Sequence, residues 1–285
     1  MNAWVTLLTA PSYVVGVRTL RASLERAGTP YPLVVLVTDD IDTADRQTLE
    51  DDGCLLRPVE PLRPASGLQD SYANARFAQV WTKLRAWQLT DYERVVVLDA
   101  DMLVTQNMDE LFSLELPAGA IAACHACRCN PNRIASYPAS WTPQNCFYTH
   151  CRGVDHTSEP EAVDSYLNGG FLVLDPDDAM FDAMVERLAQ VDDLARYPFA
   201  EQDFLNEFYD GRWLPLPYVY NALKTLAFQH PSVWDLDDVK NIHYIIDKPW
   251  QAPLDEVDRY FFVNRLWWDV ASQLPQPDGV APGRS

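Results

Sequence analysis

The chain has 285 residues, 48% of them hydrophobic and 12% aromatic, so it can bury a large core and is not disordered. Its formal net charge of -19 repels nucleic acids and anionic membranes, and we predict neither as a partner. The N-terminus has no basic region followed by an apolar run, and no segment reaches the roughly 20 apolar residues of a membrane span, which predicts a cytoplasmic protein.

The first 60 residues alternate between apolar runs and helical periods. Helices are predicted at residues 14–24 and 43–52, and the second should end at Gly53, a residue type common after helices. Strands are predicted at residues 4–8, 31–37 and 54–59. This alternation is typical of an α/β fold, but any βα unit has the same signature, so it does not identify a function.

The strongest local signal for chemistry follows the apolar run at residues 94–98, which stops at Asp99 and Asp101. Ligands of α/β proteins bind at the carboxyl ends of strands, and two hard oxygen ligands there suit Mg²⁺ or Mn²⁺ holding a phosphate-bearing substrate. Lys83 lies on a predicted helix at residues 79–89 that leads into this strand. It could lean over the same site, although such a lysine is ordinarily a solvated surface group.

Five of the six cysteines lie between residues 124 and 151, near His125, His150 and His156. A zinc site is one interpretation, but the cysteine spacing does not give two ligand pairs, so we favour reduced or locally disulfide-linked loop cysteines. Residues 124–160 show little periodicity. A loop of this length serves acceptor recognition or is a plain surface excursion, and both interpretations stay open.

The second half of the chain carries further polar positions between apolar elements. Asn168, Gly169 and Gly170 precede a predicted strand at 171–174, where paired glycines allow a ligand to approach the backbone or simply form a turn. Further elements are a helix after residue 175, a helix beginning at residue 201 and a last strand at 239–246 that bears His243. We predict one domain over residues 1–273 and a flexible tail at 274–285.

Five motifs, occurring in this order, resemble the glycosyltransferase family that includes glycogenin, galactinol synthase and bacterial galactosyltransferases. They are TKLRAW at 82–87, LDAD at 98–101, YLNGGF at 166–171, FAEQDFLN at 199–206 and HYIIDKPW at 243–250. The resemblance runs from residue 5 to about residue 250. It implies a single-domain α/β GT-A fold with a mixed, mostly parallel central sheet. It also implies a retaining reaction, a UDP-sugar donor and Mn²⁺, or Mg²⁺, as the cofactor.

The same resemblance implies roles for individual positions. The metal ligands would be Asp99, Asp101 and His243. The catalytic residues would be Glu201 and Gln202, beside the anomeric carbon, and Lys83, near the donor sugar. Donor contacts are implied at Leu8, Thr9, Tyr13, Arg76, Lys83, Asp99, Ala100, Asp101, Asn168, Gly169 and Lys248. Because an amide is a poor nucleophile, we expect Gln202 to position the sugar while the acceptor attacks an ion-pair-like species.

The sequence departs from the family pattern in three places. Ala10 stands where the family has an asparagine, no glycine lies between His243 and Lys248, and Arg76 is out of register with an upstream family arginine.

Residues 31–35, 52–54, 199–206 and 230–231 resemble galactinol synthase more than glycogenin. This favours a hexosyltransferase that uses UDP-glucose or UDP-galactose and a small polyol, cyclitol or glycan acceptor. Residues 222–241 contain no tyrosine, which argues against self-glucosylation there. A self-glucosylating protein and a sugar-nucleotide-binding protein without turnover remain alternatives, and a homodimer stays open. A nucleotidyltransferase would need a glycine-rich, basic loop where residues 9–12 lie.

Overall fold

Two sheets organise the computed structural model, which describes residues 1–64, 79–151 and 163–275. The strands in these ranges are β1 (Asn2–Leu8), β2 (Leu33–Val37), β3 (Leu55–Pro58), β4 (Arg94–Leu98), β5 (Met102–Val104), β6 (Ile121–His125), β7 (Leu167–Leu174), β8 (Trp213–Leu216), β9 (Ala222–Leu223) and β10 (Asn241–His243).

Seven α-helices flank these strands in the described ranges. They are α1 (Val14–Arg26), α2 (Thr43–Asp51), α3 (Phe147–His150), α4 (Asp178–Ala189), α5 (Glu201–Phe208), α6 (Leu226–Gln229) and α7 (Phe261–Ala271). Short 3₁₀ segments include Val80–Gln88, Tyr218–Tyr220 and Pro249–Gln251. No helix in this part of the chain combines the length and apolarity needed to cross a bilayer.

The larger sheet has the strand order β3-β2-β1-β4-β7-β6-β8. The first four of these strands are parallel, β7 runs antiparallel to both of its neighbours, and β6 pairs with β8 in parallel. The prediction of an α/β fold with a mixed, mostly parallel sheet is therefore confirmed. Val5 of β1 pairs with Val97 of β4, so Leu8, the last residue of β1, and Asp99, the residue after β4, lie at the same edge of the sheet.

The smaller sheet connects distant parts of the chain to that edge. Its order is β5-β10-β9, and His243 of β10 pairs with Met102 of β5, the residue after Asp101. The backbone N–H of Tyr244 also donates to the carbonyl oxygen of Asp101 across 2.9 Å. These bonds explain how a histidine about 140 residues downstream reaches the end of β4.

The core lies on both faces of the larger sheet, because its strands are buried and apolar on both sides. Trp81, Phe181 and Phe204 pack on one face, and Val17 and Leu20 of α1 pack on the other. A third cluster joins α7 to β9 and β10.

Several predicted boundaries differ from the structure. The predicted helix at 79–89 is a 3₁₀ segment, Gly169 and Gly170 lie inside β7 rather than before it, and the last strand covers only 241–243. Helix α7 was not predicted. Gly53 follows α2 with a φ of +83°, as predicted for a residue after a helix. Of the predicted tail, residues 276–285 lie outside the described ranges, as does Arg76.

Candidate active site

Three potential metal ligands converge where β4, β5 and β10 meet. Nε2 of His243 lies 3.3 Å from Oδ1 of Asp101 and 3.8 Å from Oδ2 of Asp99. Ligand atoms of all three residues lie within 4.8 Å of one another. Asp101 and His243 are buried, whereas the Asp99 side chain is 31% exposed, so the group opens to solvent on the Asp99 side. We call these residues the Asp–Asp–His group.

A chain of hydrogen bonds decides which nitrogen of His243 carries the proton. The backbone N–H of Gly170 donates to Oδ1 of Asn168, which also accepts from the side-chain amide of Asn221 across 2.9 Å. Asn221 therefore presents its oxygen to Nδ1 of His243, 2.9 Å away, and that nitrogen must be the donor. Nε2 of the neutral ring then keeps a lone pair that faces the two carboxylates.

Lys248 provides a cation on the buried side of the Asp–Asp–His group. Its ammonium pairs with Oδ2 of Asp101 and donates to the carbonyl oxygen of Tyr244 across 3.0 Å. Burial alone would raise the pKa of Asp101, but the ammonium of Lys248 holds the pKa of that carboxyl well below its usual range. Asp101 is therefore an anion that is ready to act as a ligand.

Lys83 is buried rather than solvated, and it connects Asp99 of the Asp–Asp–His group with Glu201. Its ammonium lies 2.8 Å from Oδ1 of Asp99 and 3.1 Å from Oε1 of Glu201, and it donates to the carbonyl oxygen of Gly169 across 3.0 Å. Burial lowers the pKa of Lys83, but the two carboxylates raise it above its ordinary value overall. Burial raises the pKa of Glu201, and the charge on Lys83 offsets that shift in part.

Gly170 and Gly169 let β7 pass close to the site. A Cβ on Gly170 would lie 2.6 Å from Cε1 of His243 and 2.8 Å from Oδ2 of Asp99, so no larger residue fits without displacing these ligands. A Cβ on Gly169 would meet the Cβ of Gln202 at 3.3 Å. Both glycines serve close approach within a strand, one of the two interpretations open from the sequence.

Gln202 is held from both ends of its amide. The backbone N–H of Gly169 donates to Oε1 across 3.0 Å, and Nε2 donates to the hydroxyl of Tyr166 across 3.1 Å. The Tyr166 hydroxyl in turn donates to Asp203. Ala200, just before α5, has a φ of +48°, a conformation that is uncommon for a residue with a side chain. Such strain is often found at functional sites, and here it adjoins Glu201.

Three of the residues predicted to contact the donor lie at or just after the carboxyl end of β1. Leu8 is the last residue of β1, and Thr9 and the half-buried Tyr13 follow it. The Tyr13 ring meets the edge of Trp250 with the ring centroids 5.5 Å apart. A Cβ on Gly16 of α1 would lie 2.5 Å from the carbonyl oxygen of Ala100, so this glycine lets α1 approach the backbone between the two aspartates.

The charges at the site favour a divalent cation. When ionised, Asp99, Asp101 and Glu201 outweigh Lys83 and Lys248 by about one negative charge, given a neutral His243. A divalent ion would reverse that sign, and two carboxylates with an imidazole nitrogen form a donor set that suits Mn²⁺. The residues present therefore fit such an ion.

Sequence reasoning missed several contributors. Asn221 and Gly16 lie outside the motifs that attracted attention, and only the fold shows what they contact. Lys224 is a third buried lysine near the site; it donates to the carbonyl oxygen of Asp247 across 2.5 Å, and burial lowers its pKa. The available signal was a lysine in the segment 222–227, whose other residues are apolar except for Thr225.

Comparison with known proteins identifies the family. The sequence model described as Glycosyl transferase family 8 matches residues 5–253. Galactinol synthase 7 of Arabidopsis thaliana is 32% identical over 278 residues, covering 94% of this chain and 81% of the relative. Galactinol synthase 1 of Solanum lycopersicum is 30% identical over 281 residues, covering 94% and 81%.

A solved structure supports the fold. The galactosyltransferase LgtC, in complex with donor and acceptor sugar analogues, superimposes with a TM-score of 0.64 at 17% identity, covering 99% of this chain and 98% of that chain. This likeness confirms the predicted GT-A fold.

Proposed function

The chain belongs to glycosyl transferase family 8, and from that premise we propose that it is a retaining, Mn²⁺-dependent hexosyltransferase. In this proposal it moves glucose or galactose from a UDP-sugar to a hydroxyl of a small polyol, cyclitol or glycan. The observation that carries the proposal is the convergence of Asp99, Asp101 and His243 from separate parts of the chain, with two buried lysines beside them.

The leaving diphosphate is the first problem of the reaction, because negative charge develops on it as the bond to the sugar breaks. Mn²⁺ held by Asp99, Asp101 and His243 would act as a Lewis acid toward the diphosphate oxygens. Lys248 supplies a positive charge on the same side of the site, and the tautomer fixed by Asn221 keeps His243 available as a neutral ligand. These charges are already in place before the reaction, so stabilising the leaving group needs little reorganisation.

The sugar ring is the second problem, because positive charge develops there. Gln202 is fixed by Gly169 and Tyr166, so its amide oxygen points in one direction. Glu201 is tied to Lys83 and is expected to orient sugar hydroxyls rather than attack the ring. Retention follows if the acceptor hydroxyl enters on the face that the diphosphate leaves. The bond from C1 to the diphosphate breaks, a bond from C1 to the acceptor oxygen forms, and a UDP oxygen accepts the hydroxyl proton.

The acceptor side of the proposal rests on the galactinol synthase relatives and on the loop after β6. Galactinol is a galactoside of a cyclitol, which supports an acceptor of that size for this chain. Trp141 of the loop stacks on Phe199 with the ring centroids 4.4 Å apart and an interplanar angle of 19°. Phe199 lies two residues before Glu201, so the loop reaches the segment that carries the polar pair. We propose that this loop helps to bind the acceptor.

An acceptor screen tests the proposal. The full chain is incubated with UDP-galactose or UDP-glucose and with cyclitols, polyols and simple sugars, with and without Mn²⁺. UDP release and product mass are measured, and NMR assigns the anomer. We expect acceptor-dependent UDP release that requires the metal and gives an α-glycoside. Failure to release UDP from either donor with Mn²⁺ present would overturn the transferase proposal, and a β-product would overturn retention.

Two further experiments test the role of the Asp–Asp–His group and the self-glucosylation alternative. Asp101→Asn should abolish turnover, whereas Asp182→Asn, which removes an exposed carboxylate on α4, should stay within about twofold of wild type. Measuring the intact mass of the protein after incubation with UDP-glucose alone tests self-glucosylation. Stepwise additions of hexose to that mass would show that the protein itself is the acceptor.

A further inference from the structure

A second group of metal-binding side chains shares no residue with the Asp–Asp–His group. Cys127, Cys129, Cys146 and His230, which we call the Cys–His cluster, are all buried. Nε2 of His230 lies 3.5 Å from Sγ of Cys127, 3.2 Å from Sγ of Cys129 and 3.5 Å from Sγ of Cys146. The Sγ atoms of Cys127 and Cys146 are 3.8 Å apart. One imidazole nitrogen thus faces three sulfur atoms at nearly equal distances.

The cluster brings together segments that are far apart in sequence. Cys127 and Cys129 follow β6, Cys146 precedes α3, and His230 follows α6. Because the histidine comes from about 84 residues beyond Cys146, a search for two nearby ligand pairs could not find this group. His125 and His150, which lie near the cysteines in sequence, do not belong to the cluster. The six cysteines are free thiols, so the disulfide form of the loop interpretation does not apply.

The distances agree with the edges of a tetrahedron around Zn²⁺. Zn–S bonds of about 2.3 Å and Zn–N bonds of about 2.05 Å give S···S edges of about 3.8 Å and S···N edges of about 3.6 Å. The observed S···S distance and the three S···N distances lie close to these values. The geometry points to a Zn²⁺ ion bound by Cys127, Cys129, Cys146 and His230, and we propose this as a structural zinc site.

The donor set selects zinc over the ion of the Asp–Asp–His group. Three thiolates and one imidazole are soft and borderline ligands that suit Zn²⁺, whereas carboxylates suit Mg²⁺ and Mn²⁺. Four protein ligands in a buried position complete the coordination and leave no place for substrate or water, which is the arrangement of a structural site.

The zinc would hold the loop of residues 126–151 in place. Two of its ligands begin that loop, one lies near its end, and the fourth anchors it to the segment between β9 and β10. Trp141, which stacks on Phe199, lies between Cys129 and Cys146 in sequence. The ion therefore fixes both ends of the segment that reaches the Glu201–Gln202 region. The zinc proposal rests on the cluster alone and stands whether or not the proposed transferase activity is found.

Metal analysis of the wild-type chain tests this inference. Protein made in zinc-supplemented medium and desalted under reducing conditions should contain about one zinc ion per chain by mass spectrometry of the elements. Titration of the folded protein with a mercurial should release that zinc as the thiols react. Replacement of zinc by Co²⁺ should give the intense absorption of cobalt–thiolate bonds. Neither of these last two measurements depends on a variant that must fold.

Variants locate the ion. Cys146→Ser and His230→Ala should lose most of the zinc, whereas Cys54→Ser, which alters a buried cysteine outside the cluster, should keep it. Asp101→Asn should also keep the zinc, since it alters only the carboxylate site. The proposal is overturned if wild-type protein neither contains nor takes up zinc under reducing conditions, if Asp101→Asn rather than Cys146→Ser removes the ion, or if the cluster cysteines are recovered as a disulfide.

Discussion

Nδ1 of His243 donates a hydrogen bond to the amide oxygen of Asn221 across 2.9 Å, and this bond determines that the other ring nitrogen, Nε2, faces Asp99 and Asp101. Asn221 is fully buried, and its own orientation is set by Asn168. The ring cannot turn over or move its proton to Nε2 without leaving a buried amide oxygen unpaired. Asn221 thus selects the nitrogen of His243 that faces Asp99 and Asp101.

Removing this bond should weaken metal binding. We expect Asn221→Ala to raise the Kd for Mn²⁺ by about 10–100-fold, the usual effect of losing the partner of a ligating histidine. Asn221→Asp keeps an acceptor for Nδ1 and should recover part of that loss. Titration of Mn²⁺ followed by electron paramagnetic resonance measures both, and circular dichroism confirms that each variant is folded. An alanine variant that is folded and binds Mn²⁺ as tightly as wild type contradicts the role of Asn221.

The two adjacent glycines of β7 should separate metal binding from turnover. Gly170→Ala places a Cβ against His243 and Asp99, so the Kd for Mn²⁺ should rise at least about tenfold. Gly169→Ala instead presses on Gln202, so it should leave that Kd within about threefold while lowering kcat about tenfold or more. Metal titration and UDP release are measured on both variants. Equal effects of the two substitutions on metal affinity would argue against this division.

Lys83 and Glu201 form a buried pair, and a double-mutant cycle tests their coupling. Lys83→Met leaves Glu201 without its cation and should lower the free energy of unfolding by about 3–5 kcal/mol. Lys83→Met also removes the cation beside Asp99, but Asp99 is 31% exposed and Glu201 is the more buried of the two carboxylates. Adding Glu201→Gln removes the more buried uncompensated charge, so the double variant should be more stable than Lys83→Met alone. Urea unfolding measures the change in the free energy of unfolding for Lys83→Met, for Glu201→Gln and for the double variant. Additivity within about 0.5 kcal/mol would show that the pair is not coupled.

Removing the metal ion should weaken the binding of UDP, because the site then repels the charge of the diphosphate. Without a divalent ion, the Asp–Asp–His group exposes the carboxylate of Asp99 to solvent, and the whole chain has a net charge of -19, so the site should repel a diphosphate. We expect the Kd for UDP to rise at least about tenfold when Mn²⁺ is replaced by a chelator, which corresponds to about 1.4 kcal/mol. Calorimetry measures the two affinities. Uridine, which lacks phosphate, is the control and should bind equally in both conditions; a UDP affinity that is independent of metal contradicts the argument.

The fold was predictable where local patterns and topology agree. The apolar run at 94–98 that ends at Asp99 predicted both a strand and a site, and the order of βα units predicted the parallel half of the sheet. The antiparallel β7 and the smaller sheet were not predicted, because strand pairing between distant segments leaves no local periodicity. The 3₁₀ conformation of residues 80–88 was missed for a related reason: its apolar positions fit a helix of either kind.

The residues of the candidate site differ in how far the sequence alone could predict them. Asp99 and Asp101 carry a signal in their own spacing, whereas His243 was assigned only through a motif resemblance and reaches the aspartates through the pairing of β10 with β5. Asn221 and His230 carry no local signal of the contacts that they make. Each acts through a contact with residues more than 20 positions away, and such contacts are set by tertiary packing rather than by spacing along the chain.

The segment between His243 and Lys248 shows how this chain manages without the glycine that the resemblance leads one to expect there. Ile246 has a φ of +68°, a region in which a β-branched residue is a genuine outlier. The backbone turns at this point before Lys248, whose ammonium reaches Asp101. A left-handed conformation costs about 1–2 kcal/mol for a residue with a Cβ, so the turn is strained.

Replacing Ile246 with glycine should relieve that strain. The gain of about 1–2 kcal/mol is offset by the backbone entropy of glycine, about 0.5–1 kcal/mol, and by lost burial of a half-buried side chain, so Ile246→Gly should unfold within about 1 kcal/mol of wild type. Ile245→Gly is the matched control. This neighbour is also half-buried but has no positive φ, and its substitution should cost about 2 kcal/mol. Urea unfolding compares the two variants. If both lose the same stability, Ile246 is not strained in the folded protein, and the turn before Lys248 needs no glycine.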